Sequence, residues 1–150
     1  LPSIPDLIFW QPTLSGSQLL KQFIRLRTVG SVIAGESGAG MSKALLARLM
    51  AGHPVEVAGY MIPPAIAKPM EQARLDLVPP CPSVLWLEVS ASAPATLSPA
   101  SIERANTWIR SGITVASAAV MGPQFWQTQE IEECPALIEA TRAALRRTQT

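Results

Sequence analysis

Residues 35–42 read GESGAGMS, one position away from a phosphate-binding loop of the form G-x-x-x-x-G-K-[ST]. In such a loop the main-chain N–H groups cradle the phosphates and a lysine ammonium reaches the β- and γ-phosphates. The lysine position holds Met41. Lys43 lies two residues further on, about 200° around a helix from that position, and cannot take its place. The loop must also follow a central parallel strand and be served by an acid on a second strand. Ser31–Ala34 could be the first, but the second would have to be VLWLEV, with Glu88 inside the strand as its acid. The stretch therefore reads as a Gly-rich turn between two helices. Ser37 fares no better as a nucleophile, because G-x-S-x-G needs Gly where Ala39 stands. A Ser-His-Asp relay would have to draw on Asp6, Asp76 and His53, the sole aspartates and histidine. His53 follows Gly52, a helix-ending residue, and reads as an exposed loop histidine. One His with Cys81 and Cys134 offers no clustered metal-ligand set, so no catalytic residue, metal or cofactor is assigned.

The elements that must position any site are those of one globular chain. With 150 residues and 48% hydrophobic content it can bury a sizeable core. Its net charge of +1 gives no overall field favouring nucleic acid or an anionic membrane. Arg142, Arg146 and Arg147 close the last helix, where the helix dipole favours cations. No apolar run reaches spanning length and no cleavable leader is visible, so a cytoplasmic protein with reduced thiols is expected. The chain enters an apolar run within a few residues of Leu1, without an initiator Met, which is expected of a fragment.

Asp6–Trp10 is expected as a buried strand of a parallel sheet, stopped by Gln11 and Pro12. Residues 15–30 form an amphipathic helix capped by Ser15 or Ser17, with Leu19, Leu20, Phe23 and Ile24 inward and Gly30 as its stop. A second helix follows, with Leu45, Leu46, Leu49 and Met50 on one face. VEVAGYMI then reads as one half-exposed strand, and residues 63–75 as a helix opened by Pro64 and shortened or kinked by Pro69. From Pro79 the pattern is strand, helix, strand: SVLWLEV, then a helix capped by Ser98 with Pro99 at its first position and Gly112 past its end, then ITVASAAVM. Ile102, Ala105, Trp108 and Ile109 of that helix should face the sheet, as should Leu137, Ile138, Thr141 and Leu145 of the last one. The organisation is α/β: residues 1–12 a core strand, 13–78 a helical insertion, and 79–150 a βαβ unit with a final helix.

Ligands of open α/β sheets sit outside the carboxyl ends of the strands. Those ends are Trp10-Gln11-Pro12, Ser90-Ala91-Ser92 and Gly122–Trp126, uncharged and rich in aromatic and amide groups. Trp10, Gln11, Ser90, Gln124, Phe125 and Trp126 are thus candidates for a pocket that takes an apolar or acyl ligand, and equally for filler between sheet and insertion.

The segments FWQP, LSGSQLLKQFIRLR, EVAGY and GPQFWQTQEIEECPALIEAT resemble the carboxyl-terminal part of an exosortase A system-associated hydrolase of the second type, in the α/β-hydrolase superfamily. The likeness runs along nearly the whole chain. It implies that Asp6–Trp10, Ser83–Val89 and Ile113–Met121 are strands six to eight of a hydrolase sheet and that the insertion is a cap. The substrate would be an ester, thioester or other acyl compound, the nucleophile elbow would lie before Leu1, and the protein would be linked to exosortase and exopolysaccharide machinery. Two departures stand out. SASAPATLS, where the superfamily acid is expected, holds no carboxylate, and Pro123 and Gln124 stand near the expected histidine. Either Glu130 or an upstream acid and base take those roles, or the parent is a degenerate hydrolase that binds an acyl ligand or a partner without cleaving.

Overall fold

The computed structural model describes residues 5–32, 38–57, 59–126 and 131–146. The chain is a mixed α/β protein in two compact units, Leu1–Pro12 with Asp76–Thr150, and Thr13–Leu75.

In the first unit, β1 (Leu7–Trp10) pairs in parallel with a longer strand, Ser83–Ser90, which pairs in parallel with a third, Thr114–Met121. Numbered along the chain these are β1, β4 and β5, and the sheet order is β1-β4-β5. The central strand is buried on both faces from Val84 to Val89, as its near-continuous apolar run requires. On one face Trp86 meets Phe9 and Trp108 with ring centroids 5.8 and 5.4 Å away. On the other, Leu85, Leu87 and Val89 form a core with Cys134 and Leu137.

The crossover helix between β4 and β5 spans Pro99–Arg110 (α4), and the last helix spans Pro135–Arg146 (α5). Ser98 caps α4 by accepting from the Ser101 N–H at 3.2 Å, with Pro99 at the first helical position where its missing N–H costs nothing. The inward faces differ from the sequence expectation. Ser101, Ala105 and Trp108 are the buried residues of α4, whereas Ile102 and Ile109 are 45% and 50% exposed. On α5, Leu137 is buried and Ala140 and Ala144 pack with it, while Ile138 and Leu145 are about as exposed as Ile102. On α4 the small residues Ser101 and Ala105 face inward beside Trp108, and the branched ones flank that contact. A further correction concerns β1. Leu7, Ile8 and Trp10 are exposed rather than buried, because among the described residues β1 has a paired neighbour on one side only.

The second unit contains α1 (Gly16–Val32), α2 (Gly38–Met50), a hairpin of β2 (Val55–Val57) and β3 (Tyr60–Ile62), and α3 (Pro64–Gln72). Its core is aliphatic, built from Leu20 and Ile24 of α1, Leu45 and Leu49 of α2, Val55, Val57 and Ile62 of the hairpin, and Ala67 of α3. Ser15 precedes α1 and its Oγ accepts from the Gln18 N–H at 3.4 Å, so it is the cap in preference to Ser17. Gly16 is required where α1 meets the end of α3, since a Cβ there would lie 1.9 Å from the Met70 carbonyl oxygen. Two expectations are corrected. α1 runs through Gly30 to Val32, a glycine within a helix being tolerated at a cost of about 1 kcal/mol or less in its last turn. VEVAGYMI is an antiparallel hairpin instead of one strand, because Gly59 takes φ +84°, which a two-residue hairpin turn demands. Of the GESGAGMS stretch, Gly38–Ser42 are helical, and residues 35–37 lie outside the described residues.

Candidate functional site

The carboxyl ends of the three parallel strands bring Trp10, Gln11, Ser90, Gln124, Phe125 and Trp126 to one end of the sheet. Glu130 lies outside the described residues.

Gln11 holds the most constrained position. Its φ is +45°, a left-handed conformation that costs a non-glycine residue about 1 kcal/mol or more. Its N–H donates to the Leu87 carbonyl at 2.8 Å, and its side-chain Oε1 accepts from the Val89 N–H at 2.8 Å. In a parallel ladder one residue donates to j−1 and accepts from j+1. The amide side chain thus replaces the residue's own carbonyl, which the left-handed turn swings away. The chain leaves the sheet here without orphaning a donor of the central strand.

The neighbouring polar groups are similarly engaged. Trp10 Nε1 donates to Thr141 Oγ1 at 2.9 Å, and that hydroxyl donates to the Leu137 carbonyl at 2.9 Å, which ties the exposed indole to α5. Ser90 Oγ donates to the Ser92 carbonyl at 2.8 Å and accepts from the Ser92 N–H at 3.3 Å, which closes a local turn. Phe125 packs on the Leu85, Leu87 and Val89 core and meets Trp126 edge-on, with centroids 5.1 Å apart. Gln124 is half-buried.

Sequence reasoning weighed Glu88 only as a metal acid and missed its place. The carboxylate is 6% exposed; Oε1 accepts from Trp86 Nε1 and Oε2 from the Ser98 N–H, each at 3.0 Å. Both oxygens are spoken for, one by the aromatic face of the sheet and one by the start of α4. The signal was present in the sequence. An acid inside a strand buried on both faces must find hydrogen-bond partners, and Trp86 two residues earlier points the same way.

At the opposite end of the sheet, between α5 and the strands, lies an apolar groove of about 550 Å³ lined by Leu85, Leu87, Ala116, Ala118, Ala140 and Ala144 among others. None of the rim candidates lines it. Alanines on both sides leave this gap, and Ser83, Thr114 and Ser117 are the polar residues of its lining. Among the described residues no three His, Cys, Asp or Glu groups are placed to hold a metal ion. His53 is exposed and belongs to the other unit, and Asp6 is engaged with Ser83, whose Oγ donates to Asp6 Oδ2 and accepts from its N–H. No helix among the described residues is long and apolar enough to cross a membrane. Comparisons with protein-family models, curated proteins and solved structures find no match.

Proposed function

We propose that the chain is the carboxyl-terminal part of a capped, cytoplasmic α/β-hydrolase-fold protein of the exosortase A system-associated type, acting on an ester, thioester or other acyl substrate. The observation that carries this reading is topological. Parallel strands run in the order β1-β4-β5, and a separate, mainly helical unit is inserted between the first two of them. Strands six to eight of a hydrolase sheet with a cap after strand six have this arrangement. In this reading Trp10, Phe125 and Trp126 contribute an apolar wall to the acyl pocket with the Gln124 amide beside it, and the nucleophile comes from a strand-five elbow outside residues 1–150. The link to exosortase and exopolysaccharide machinery rests on the family resemblance.

One observation favours a second reading, a binder that does not cleave. Gln11 Oε1, Ser90 Oγ and both Glu88 oxygens are taken by hydrogen bonds within the fold, so none of these three side chains offers a free acid or base to a nucleophile at this rim. A protein extended through the elbow, assayed on p-nitrophenyl esters of increasing chain length, separates the two. Turnover abolished by replacing the elbow residue but retained in Ser90→Ala supports the hydrolase. Saturable binding of the acyl chain without turnover supports the binder.

A further inference from the structure

The β5 edge of the sheet carries none of the devices that keep an edge strand from pairing. Thr114–Met121 ends the order β1-β4-β5, so among the described residues β4 is its only strand neighbour. It is eight residues long, where a blunted edge is short. No charged residue lies between Arg110 and Glu130, and no Pro falls inside the strand. Its register with β4 is unbroken from Thr114 to Met121, so no bulge twists it away. Ala116, Ser117 and Ala118 are exposed in succession, which takes in both faces of the strand.

The direction of the free main-chain groups follows from the ladder. The Thr114 N–H donates to the Pro82 carbonyl at 2.9 Å, and the Gly122 N–H to the Ser90 carbonyl at 3.1 Å. In a parallel ladder a residue turns both of its main-chain groups to one side, and the side alternates along the strand. Thr114, Ala116, Ala118 and Val120 therefore face β4, while Val115, Ser117, Ala119 and Met121 turn four N–H and four C=O groups to the open edge. An antiparallel two-fold pairing centred on Ala118 uses all of them. Val115 then lies opposite Met121 of the second copy and Ser117 opposite Ala119, which by symmetry makes four pairs and eight hydrogen bonds. Centring on Ser117 would set Met121 opposite Ile113, whose N–H is already given to the Trp108 carbonyl. Centring on Ala119 would set Val115 opposite Pro123, which has no N–H. At the chosen axis Ala118 meets its own copy as a non-hydrogen-bonded pair, with Cα atoms about 4.5 Å apart, where two methyl groups fit and no like charges oppose. The axis stands perpendicular to the sheet, so the alanine grooves beneath the two α5 helices, each lined by Ala116 and Ala118, join across it.

We propose that the β5 edge is a self-association surface, on which a second copy of this chain pairs antiparallel about a two-fold axis at Ala118 and joins two three-stranded sheets into one. The uncharged strand and its self-matching register select a second copy as the occupant. The ladder is about 26 Å long and occupies only the middle layer, so the contact belongs to the small, exchanging class below about 1,200 Å² in total. It lies at the edge remote from β1 and is independent of whether the parent is a hydrolase.

The test follows sedimentation and amide exchange of the 150-residue chain across about a hundredfold range of concentration. The expected result is a mass rising from one copy to two, with the amides of Val115, Ser117, Ala119 and Met121 passing from fast to slow exchange. Those of Ala116, Ala118 and Val120, bonded to β4, stay slow throughout. Ala118→Lys, which sets two ammonium groups across the axis, should weaken association about tenfold or more. Ser117→Pro, which removes an edge N–H and spares the β4 ladder, should do the same. Ile8→Lys, on the β1 edge, leaves association unchanged. A chain monomeric at every concentration, association with the four edge amides still fast, or a loss with Ile8→Lys in place of Ala118→Lys would overturn the proposal. If a β5 variant loses its fold, the concentration dependence of those four amides in the unaltered chain decides.

Discussion

The two units of this chain bury their residues in different ways. In the sheet unit, one central strand is enclosed on both faces by aromatic rings on one side and aliphatic residues on the other, and its single acid is fixed by two hydrogen bonds. In the helical unit, short elements share one aliphatic core and the charged residues stand outside it. The first fixes Gln11, Ser90 and Glu88 by hydrogen bonds within the fold. The second carries the excess of positive charge, seven Lys and Arg against three Glu, where the first has five against eight acids. A near-zero total charge conceals this, because +4 and −3 nearly cancel in the sequence sum.

The largest effect that sharpens the comparison is local. Trp108→Ala removes a fully buried ring from the Phe9 and Trp86 cluster and should cost about 3 to 5 kcal/mol in denaturant unfolding. Leu49→Ala should cost about 2 to 5 kcal/mol in the helical core. If the units are energetically separate, each substitution speeds amide exchange mainly in its own unit. Equal losses of protection in both would show one cooperative body.

Glu88→Ala comes next, leaving the buried Trp86 Nε1 unpaired at about 1 to 3 kcal/mol, with less for the Ser98 N–H, which solvent can reach. Glu88→Gln keeps an acceptor oxygen and should cost less; equal costs for the two would mean that charge rather than hydrogen bonding matters there. Ser98→Ala removes the α4 cap and should lower stability by about 1 kcal/mol, read from thermal unfolding. The smallest effect belongs to Ile109→Ala, below about 1 kcal/mol, because that residue is half exposed. A cost as large as that of Trp108→Ala would restore the inward face expected from the sequence.

Much of the fold was legible where local signals were redundant. The βαβ unit announced itself through a continuous apolar run, a Ser-Pro helix start and Gly112 at φ +91° after the helix end. The helix faces were not legible, because periodicity weighs large aliphatic residues, whereas the face that α4 turns to the sheet carries Ser101 and Ala105 beside Trp108, and that of α5 carries Ala140 and Ala144 beside Leu137. The hairpin was hidden because VEVAGYMI has continuous strand character and only Gly59 betrays the reversal. At the site, the sequence identified the residues at the strand ends but not their engagement. That Gln11 would stand in for its own carbonyl depends on a φ angle, and that Glu88 would bridge Trp86 and Ser98 depends on register.

The proposed function rests on β1 being an interior strand of a larger parallel sheet. Its apolar residues on both faces, Leu7 on one and Ile8 and Trp10 on the other, are what such a strand requires. Since the Gln11 N–H points to β4, alternation directs the Leu7 and Phe9 amides inward and the Ile8 and Trp10 amides to the open edge. The most direct test is hydrogen exchange at Ile8 and Trp10, compared between this chain and a protein extended upstream through the elbow. The account predicts fast exchange in the 150-residue chain, alongside slow exchange at Leu85 and Leu87, and strong protection of Ile8 and Trp10 in the extended protein. Equal, unprotected exchange at Ile8 and Trp10 in both proteins would show β1 to be a true edge strand and would contradict the hydrolase reading.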